Sequence, residues 1–390
     1  MSKKNIPKEN SYLATECDKV GEIAIHYGFT VIQPPHINLA DITESKQFKN
    51  FDTNENAYEK ISLTRWYMET LQNINQPIMI HFQKPLPGNP LKKKPLQEMY
   101  GLEIMQSNKP ESEALILKST LAILSDIGYK NVCVDVNSIG DKESVSKFEK
   151  EIAVYFRKHG NDLSKKCKEE FKKNWYEFLT QVTPETETFC QNCPQILGTL
   201  SELSRSHFKE VLEYMEIFGI TYKMKPNLFS NKLYGAHTVF EIRNMDTENT
   251  LLACGYRYNY LAKKIGSKKE IPCIGMTIYA KKTDIPAKTF IIKNIKKPRF
   301  YLVQLGETAK LKALNVVEML RLERIPVYHS LTKDKITAQL SGAEYVHATH
   351  VLIIGQKEAI ENSIVVRHVV TREQETVFLT DLPGFLRALL

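Results

Sequence analysis

The chain has 390 residues, 42% of them hydrophobic and 25% charged, with a formal net charge of +8. That length exceeds the size at which a single hydrophobic core usually stops growing, so two or more domains are expected. No run approaches the roughly 18 apolar residues of a membrane helix, MSKKNIPKEN has no apolar leader core, and seven cysteines form no disulfide-like framework. A soluble, cytoplasmic protein with no membrane partner is the expectation.

In chain order, SYLATECDKVGEIAIHYGF reads as an amphipathic helix leading into the strand TVIQPP. Between two apolar runs lies KPLPGNPLKKKPLQEMYGLE, a stiff basic loop able to hold phosphate or simply to be a solvated turn. ESEALILKSTLAILSDIGY reads as a second long helix, followed by the strand NVCVDVNSIG. A mostly helical, polar insertion spans about 141–219, and strands return at TVFEIRN, TLLACGYRY and IPCIGMTIYA.

The chain divides most naturally near Lys296, Lys297 and Pro298, giving a core over 1–297 and a C-terminal unit over 298–390. That unit reads as βαβαβ with an added hairpin, SIVVRHVV and ETVFLT around TREQ, and a last helix, DLPGFLRALL. Parallel crossovers plus a hairpin require a mixed sheet. The positive excess lies upstream of residue 299, in Lys92, Lys93 and Lys94, in SKKCKEEFKK, and in KKTDIPAKTFIIKNIKKPR. It suits an anionic partner such as RNA, against the alternative of solvated lysines.

Metal chemistry has little support. Cys190 and Cys193 form one C-x-x-C, which needs two more ligands for a closed zinc site, and only His207 is near in sequence. His347 and His350 read as surface or hydrogen-bonded histidines, and GSKKE is not a phosphate loop, so no metal is expected.

Several stretches carry a resemblance in family order. GFTVIQPPHI, with Pro35, resembles the dimer-forming first motif of histidyl-tRNA synthetases, which are class II aminoacyl-tRNA synthetases. YGLEIMQS resembles the end of the second motif, VNSIGDKESVSKFEKEIAVYF the segment after the long helix, and SRSHFKEVLEYMEIFGI the end of the insertion. ACGYRYNYLAKKIG resembles the histidine-binding strand and turn, PCIGMTIYAKK the third motif, and VVRHVVTREQETVFLTDL the anticodon-binding domain. The resemblance implies an α+β, class II synthetase-like fold: a mixed, mostly antiparallel sheet core with a helical insertion, plus a C-terminal α/β anticodon-binding-like domain.

The resemblance also implies what has been lost. The second-motif arginine that grips the α-phosphate falls on Lys84 or Pro85, the arginine of the RGLDYYT-type loop on Ser230, and the third-motif arginine over the adenine on Lys282. The Arg-Pro-Glu-Gly-Thr box has no counterpart, its place being taken by ISLTRWYMET. A lysine is a point charge and cannot replace a planar bidentate fork. One lost donor aimed at developing charge costs about 10²–10³ in rate, and three lost together make a combined loss of about 10⁴ or more reasonable.

On the amino-acid side, Glu103 falls where the family places a carboxylate near the ligand's α-amino group, Tyr234 matches a paired tyrosine, and Arg257 and Tyr258 match the GGRYD-type turn. Tyr256 replaces a glycine there and would fill the pocket. The expectation is a degenerate, non-catalytic paralogue without cofactors, forming a homodimer and binding tRNA, another RNA or a protein partner, with Lys92, Lys93 and Lys94 as RNA-contact candidates. Two alternatives stand beside it. One is an active, divergent histidine–tRNA ligase using ATP and magnesium. The other is a histidine-sensing subunit resembling the regulator of ATP phosphoribosyltransferase, a class that typically lacks the C-terminal domain.

Overall fold

A computed structural model describes residues 12–51, 57–71, 77–84, 97–180, 182–247, 249–292, 300–329, 331, 333 and 335–390. The chain opens with β1 (Glu16–Cys17), α1 (Lys19–His26), β2 (Thr30–Val31), α2 (Leu39–Ser45) and α3 (Ala57–Thr70). The long antiparallel pair β3 (Ile78–Lys84) and β4 (Gln97–Met105) follows, then α4 (Glu111–Asp126) and β5 (Val132–Ser138). The polar stretch after it is helical, as its composition predicts: α5 (Lys142–His159), α6 (Lys165–Thr180), α7 (Glu187–Gln191) and α8 (Glu202–Ile217). Strands then return as β6 (Tyr222–Met224), β7 (Ala236–Asn244), β8 (Thr250–Arg257), β9 (Cys273–Lys281) and β10 (Phe290–Ile291), with the short α9 (Leu261–Lys264) between β8 and β9.

These strands build an eight-stranded sheet in the order β2-β3-β4-β9-β8-β7-β5-β6. Only its outermost pairs, β2 with β3 and β5 with β6, are parallel. One face carries α1, α4 and α8 over a core that includes Leu102, Ile104, Ile116, Ile123, Phe208 and Met276. The opposite face carries α3 over Ile61, Tyr67, Phe82, Tyr234, Tyr256 and Tyr258. A separate aromatic core of Phe148, Phe171, Phe178 and Phe189 holds α5, α6 and α7 together.

The C-terminal unit follows as β11 (Phe300–Gln304), α10 (Glu307–Leu322), β12 (Val327–His329), α11 (Ile336–Tyr345), β13 (His350–Ile354), α12 (Gln356–Glu361), β14 (Ser363–His368), β15 (Gln374–Phe378) and α13 (Leu382–Ala388). Its sheet runs β12-β11-β13-β14-β15, parallel across the first three strands and antiparallel across the last three. The fold class expected from the sequence, a mostly antiparallel core joined to a mixed-sheet α/β unit, is the one observed.

Several elements differ from the sequence reading, among them α2, which was not read, and β4, whose Gln97–Glu103 part was read as the end of the basic loop. The first helix begins only at Lys19, because Asp18 takes extended backbone and accepts the Gly21 N–H as N-cap, while Glu16–Cys17 pairs as a strand with β10. Helix α3 occupies a stretch where no element was read. Helix α12 was also missed: its N-terminus is set by Glu358 accepting the Gly355 N–H, and Asn362 ends it in a left-handed conformation.

The two sheet units share one continuous apolar core containing Tyr27, Ile116 and Ile123 from the first and Leu314, Val317 and Leu352 from the second. Polar contacts cross the same junction. Tyr27 donates to Glu318, Lys310 pairs with Glu111, Arg321 reaches Asp126 at 3.3 Å, and Tyr214 donates to Glu307 at 3.1 Å.

Candidate functional site

The face of the large sheet covered by α3 brings together four of the residues singled out in the sequence, or their neighbours. Glu103 on β4 is fully buried, and one of its oxygens accepts the Tyr258 hydroxyl at 2.8 Å. The other accepts the ammonium of Lys60 at 2.6 Å. Lys60 is itself 1% exposed, and its Nζ lies 4.9 Å from the ring centre of Tyr258 and 5.7 Å from that of Tyr256. Two ring faces and a carboxylate converging on one ammonium is the arrangement that best compensates a buried cation.

The strand register makes room for it. Glu103 stands directly opposite Gly275 of β9, and Tyr256 is the residue across from Gly275 on the other side. A Cβ on Gly275 would collide with both the Glu103 carboxylate and the Lys60 ammonium. Behind the pair, Tyr234 and Tyr256 place their hydroxyls 3.2 Å apart, and Phe48 meets the Tyr234 ring edge-on at 5.1 Å. Tyr256 fills space here, as expected from its size.

Arg257 was grouped with this pocket on sequence, and the structure places it elsewhere. Side chains of a strand alternate, so Tyr256 and Tyr258 face α3 while Arg257 faces α4. There it is fully buried, with Nε at 2.5 Å and one terminal nitrogen at 2.5 Å from the two oxygens of Glu113. Its remaining donors go to the carbonyls of Ser107 at 2.6 Å and Lys109 at 2.8 Å, clamping the loop that starts α4. Glu113 also accepts from His207 at 2.7 Å. Burial alone would raise the Glu113 carboxyl, but the charges and hydrogen bonds of Arg257 and His207 hold it down at about 2. Beside them, burial and the neighbouring cations push His237 down to about 4.

The positions matched to the family's phosphate-binding arginines carry no guanidinium. Ser230 is 1% exposed and its hydroxyl has no hydrogen-bond partner among the described residues. Lys282 is exposed and pairs with Glu98 at 3.6 Å. Lys84 closes β3 opposite Met99, whereas Pro85, Lys92, Lys93 and Lys94 lie outside the described residues.

Three core arginines are engaged by carboxylates other than Glu103. Arg65 chelates Asp41 with two bonds of 2.8 Å and also reaches the His36 carbonyl at 3.1 Å. Arg243 binds Glu241 at 2.7 Å, and Arg257 binds Glu113. Arg157 and Arg205 belong to α5 and α8.

Cys190 and Cys193 line a mostly apolar cavity of about 370 Å³ with Phe148, Leu179 and Phe229. All seven cysteines are free thiols, and no three potential metal ligands converge among the described residues. No helix among those residues is long and apolar enough to cross a membrane.

Sequence reasoning found Glu103, Tyr234 and Tyr258 but missed Lys60, Glu113 and His237. The signal for Lys60 was present: Ala57, Lys60, Ile61, Thr64 and Tyr67 recur at helical spacing, so the lysine interrupts an otherwise buried stripe of α3.

Comparison with known proteins agrees with this architecture. Residues 299–389 match the family model described as an anticodon binding domain. A histidine–tRNA ligase of Halothermothrix orenii is 32% identical over 289 residues, covering 72% of this chain and 68% of that protein. One from Macrococcus caseolyticus is 24% identical over 409 residues, covering 98% and 97%. The crystal structure of apo histidyl-tRNA synthetase from S. aureus superposes with a TM-score of 0.52 at 22% identity, over 94% of this chain and 93% of that one. By its sheet core, its matched C-terminal unit and this degree of identity, the chain belongs to the histidyl-tRNA synthetase family.

Proposed function

We propose that the protein is a non-catalytic member of this family that binds tRNA through its C-terminal unit and acts as an RNA-binding homodimer rather than as a ligase. The observation that carries the reading is that Arg65, Arg243 and Arg257 are engaged by Asp41, Glu241 and Glu113, while Arg157 and Arg205 are exposed on α5 and α8. Adenylate formation develops negative charge on the α-phosphate, and stabilising it takes donors aimed at that charge before the reaction starts. Ser230 carries no charge, and Lys282 is an exposed amine already beside a carboxylate. ATP and magnesium are accordingly not expected as cofactors.

The match of 299–389 to an anticodon binding domain supports tRNA as the partner, and supports it over a histidine-sensing subunit. Dimerisation is supported by the edge position of β2 in the large sheet, next to a segment in which Ile37, Leu39 and Ile42 are exposed. Filter binding and charging measured on the same preparation test the proposal. Saturable tRNA binding without transfer of histidine to the tRNA is expected. Charging at a synthetase-like rate, or no binding at low salt, would overturn it.

A further inference from the structure

We infer that the Glu103 face is a receptor for a primary ammonium group and that Lys60 is its built-in occupant, a tethered amine that shuts out free ones. Receptor and occupant come from different elements. The sheet supplies Glu103 from β4, Tyr256 from β8, Tyr258 just beyond it and the cleared space at Gly275 of β9, whereas α3 supplies only the ammonium. Neither sheet register nor apolar packing calls for a carboxylate at Glu103, which would be costly to bury alone.

With the ammonium in place the carboxylate is satisfied on both oxygens, by Lys60 at 2.6 Å and Tyr258 at 2.8 Å, and the two tyrosine rings flank the cation. A tethered group reaches its site at an effective concentration that a free amine in millimolar solution does not match. The intact protein therefore leaves no place for the α-ammonium of an amino acid at Glu103. This inference rests on the proposal that this face hosts no reacting substrate. Exchange activity in the wild type would overturn that proposal, whereas the experiment below reads the cage itself.

Lys60→Ala removes three methylenes and the ammonium, a fragment equal to n-propylammonium, while retaining Cβ. Thermal unfolding of the variant is followed against n-propylammonium chloride, with 1-propanol as the neutral control. The variant should melt below the wild type, and the amine should raise its midpoint saturably, by about 3 °C at a hundredfold excess over Kd. The wild type should not respond, and the double variant Lys60→Ala with Glu103→Gln should lose the response.

No amine-dependent rise in Lys60→Ala, or an equal rise with 1-propanol or in the double variant, would overturn the inference. Reductive methylation of the native wild type is the second measurement. Lys60 should stay unmodified while Lys166, with its side chain 83% exposed, is fully dimethylated. Modification of both at similar rates overturns the inference even if Lys60→Ala cannot be recovered folded.

Discussion

Glu113 is fully buried and is held by Arg257 and His207, and a carboxylate so placed depends on keeping its partners. Its folded pKa of about 2 lies below the ordinary 4.5, so its stabilising contribution is full above about pH 4.5 and is lost as the pH falls towards 2. Removing Arg257 would leave that charge buried with His207 as its remaining ionisable partner. Arg257→Ala is therefore expected to destabilise the fold by about 3–5 kcal/mol, read from urea unfolding at pH 7. A loss below about 1 kcal/mol would show that Arg257 does not hold Glu113 as described. Histidines act in a different window: His237 and His329 are each pushed down to about 4 by burial, and so stay neutral in the folded chain. The unfolded chain takes up their protons near 6.5, so stability is full above that pH and declines as the pH falls from 6.5 towards 4. Replacing His329, which meets the Tyr27 carbonyl at 2.8 Å, by Gln should flatten the decline between pH 6.5 and 4. A profile as steep as that of the wild type would contradict the assignment. At this scale the sequence was legible where a residue sits in a motif, as Glu103 and Tyr258 do. It misled at Arg257 because a motif names residues and not the face of the strand they leave from, although the alternation in YRY contained that information.

Elements explain why the pocket face is closed. Gly275 keeps the sheet surface low where the Lys60 ammonium rests, and Gly255 lies so near the Gly275 carbonyl and Met276 that neither strand accepts a side chain there. Gly275→Ala should therefore dislodge the Lys60–Glu103 pair and cost about 1–3 kcal/mol, measured by chemical denaturation. An unchanged midpoint would mean that the ammonium does not occupy this space. Helix α3 was missed because polar residues, Lys60 among them, interrupt the buried stripe that its helical spacing would otherwise have announced. The long strands β7, β8 and β9 were legible as apolar runs, because they are buried along nearly their whole length. For Lys92, Lys93 and Lys94 the proposed contact with RNA rests on charge alone. If all three meet phosphates, replacing them with alanine should reduce the slope of log affinity against log salt by about two units, and an unchanged slope would retire them as contacts.

As a whole molecule the chain joins its two sheet units through shared apolar core and several ion pairs, including Lys310 with Glu111 and Arg321 with Asp126. Such a junction couples the units, so intrinsic fluorescence and far-ultraviolet circular dichroism should report one common unfolding midpoint, and two well-separated transitions would contradict the coupling. The order of elements, the helical insertion and the mixed C-terminal sheet were readable from hydrophobic period and turn residues. The junction was not, because contacts such as Tyr27 with Glu318 join residues far apart in sequence and leave no local pattern. Family membership gives the fold, while the proposed function turns on whether the core can form an adenylate. Histidine-dependent exchange of pyrophosphate into ATP tests that most directly, because it needs only adenylate formation and no tRNA. The proposed non-catalytic function calls for exchange at background, with a loss of about 10⁴ or more relative to an ordinary synthetase. Exchange within about tenfold of an ordinary synthetase would contradict it.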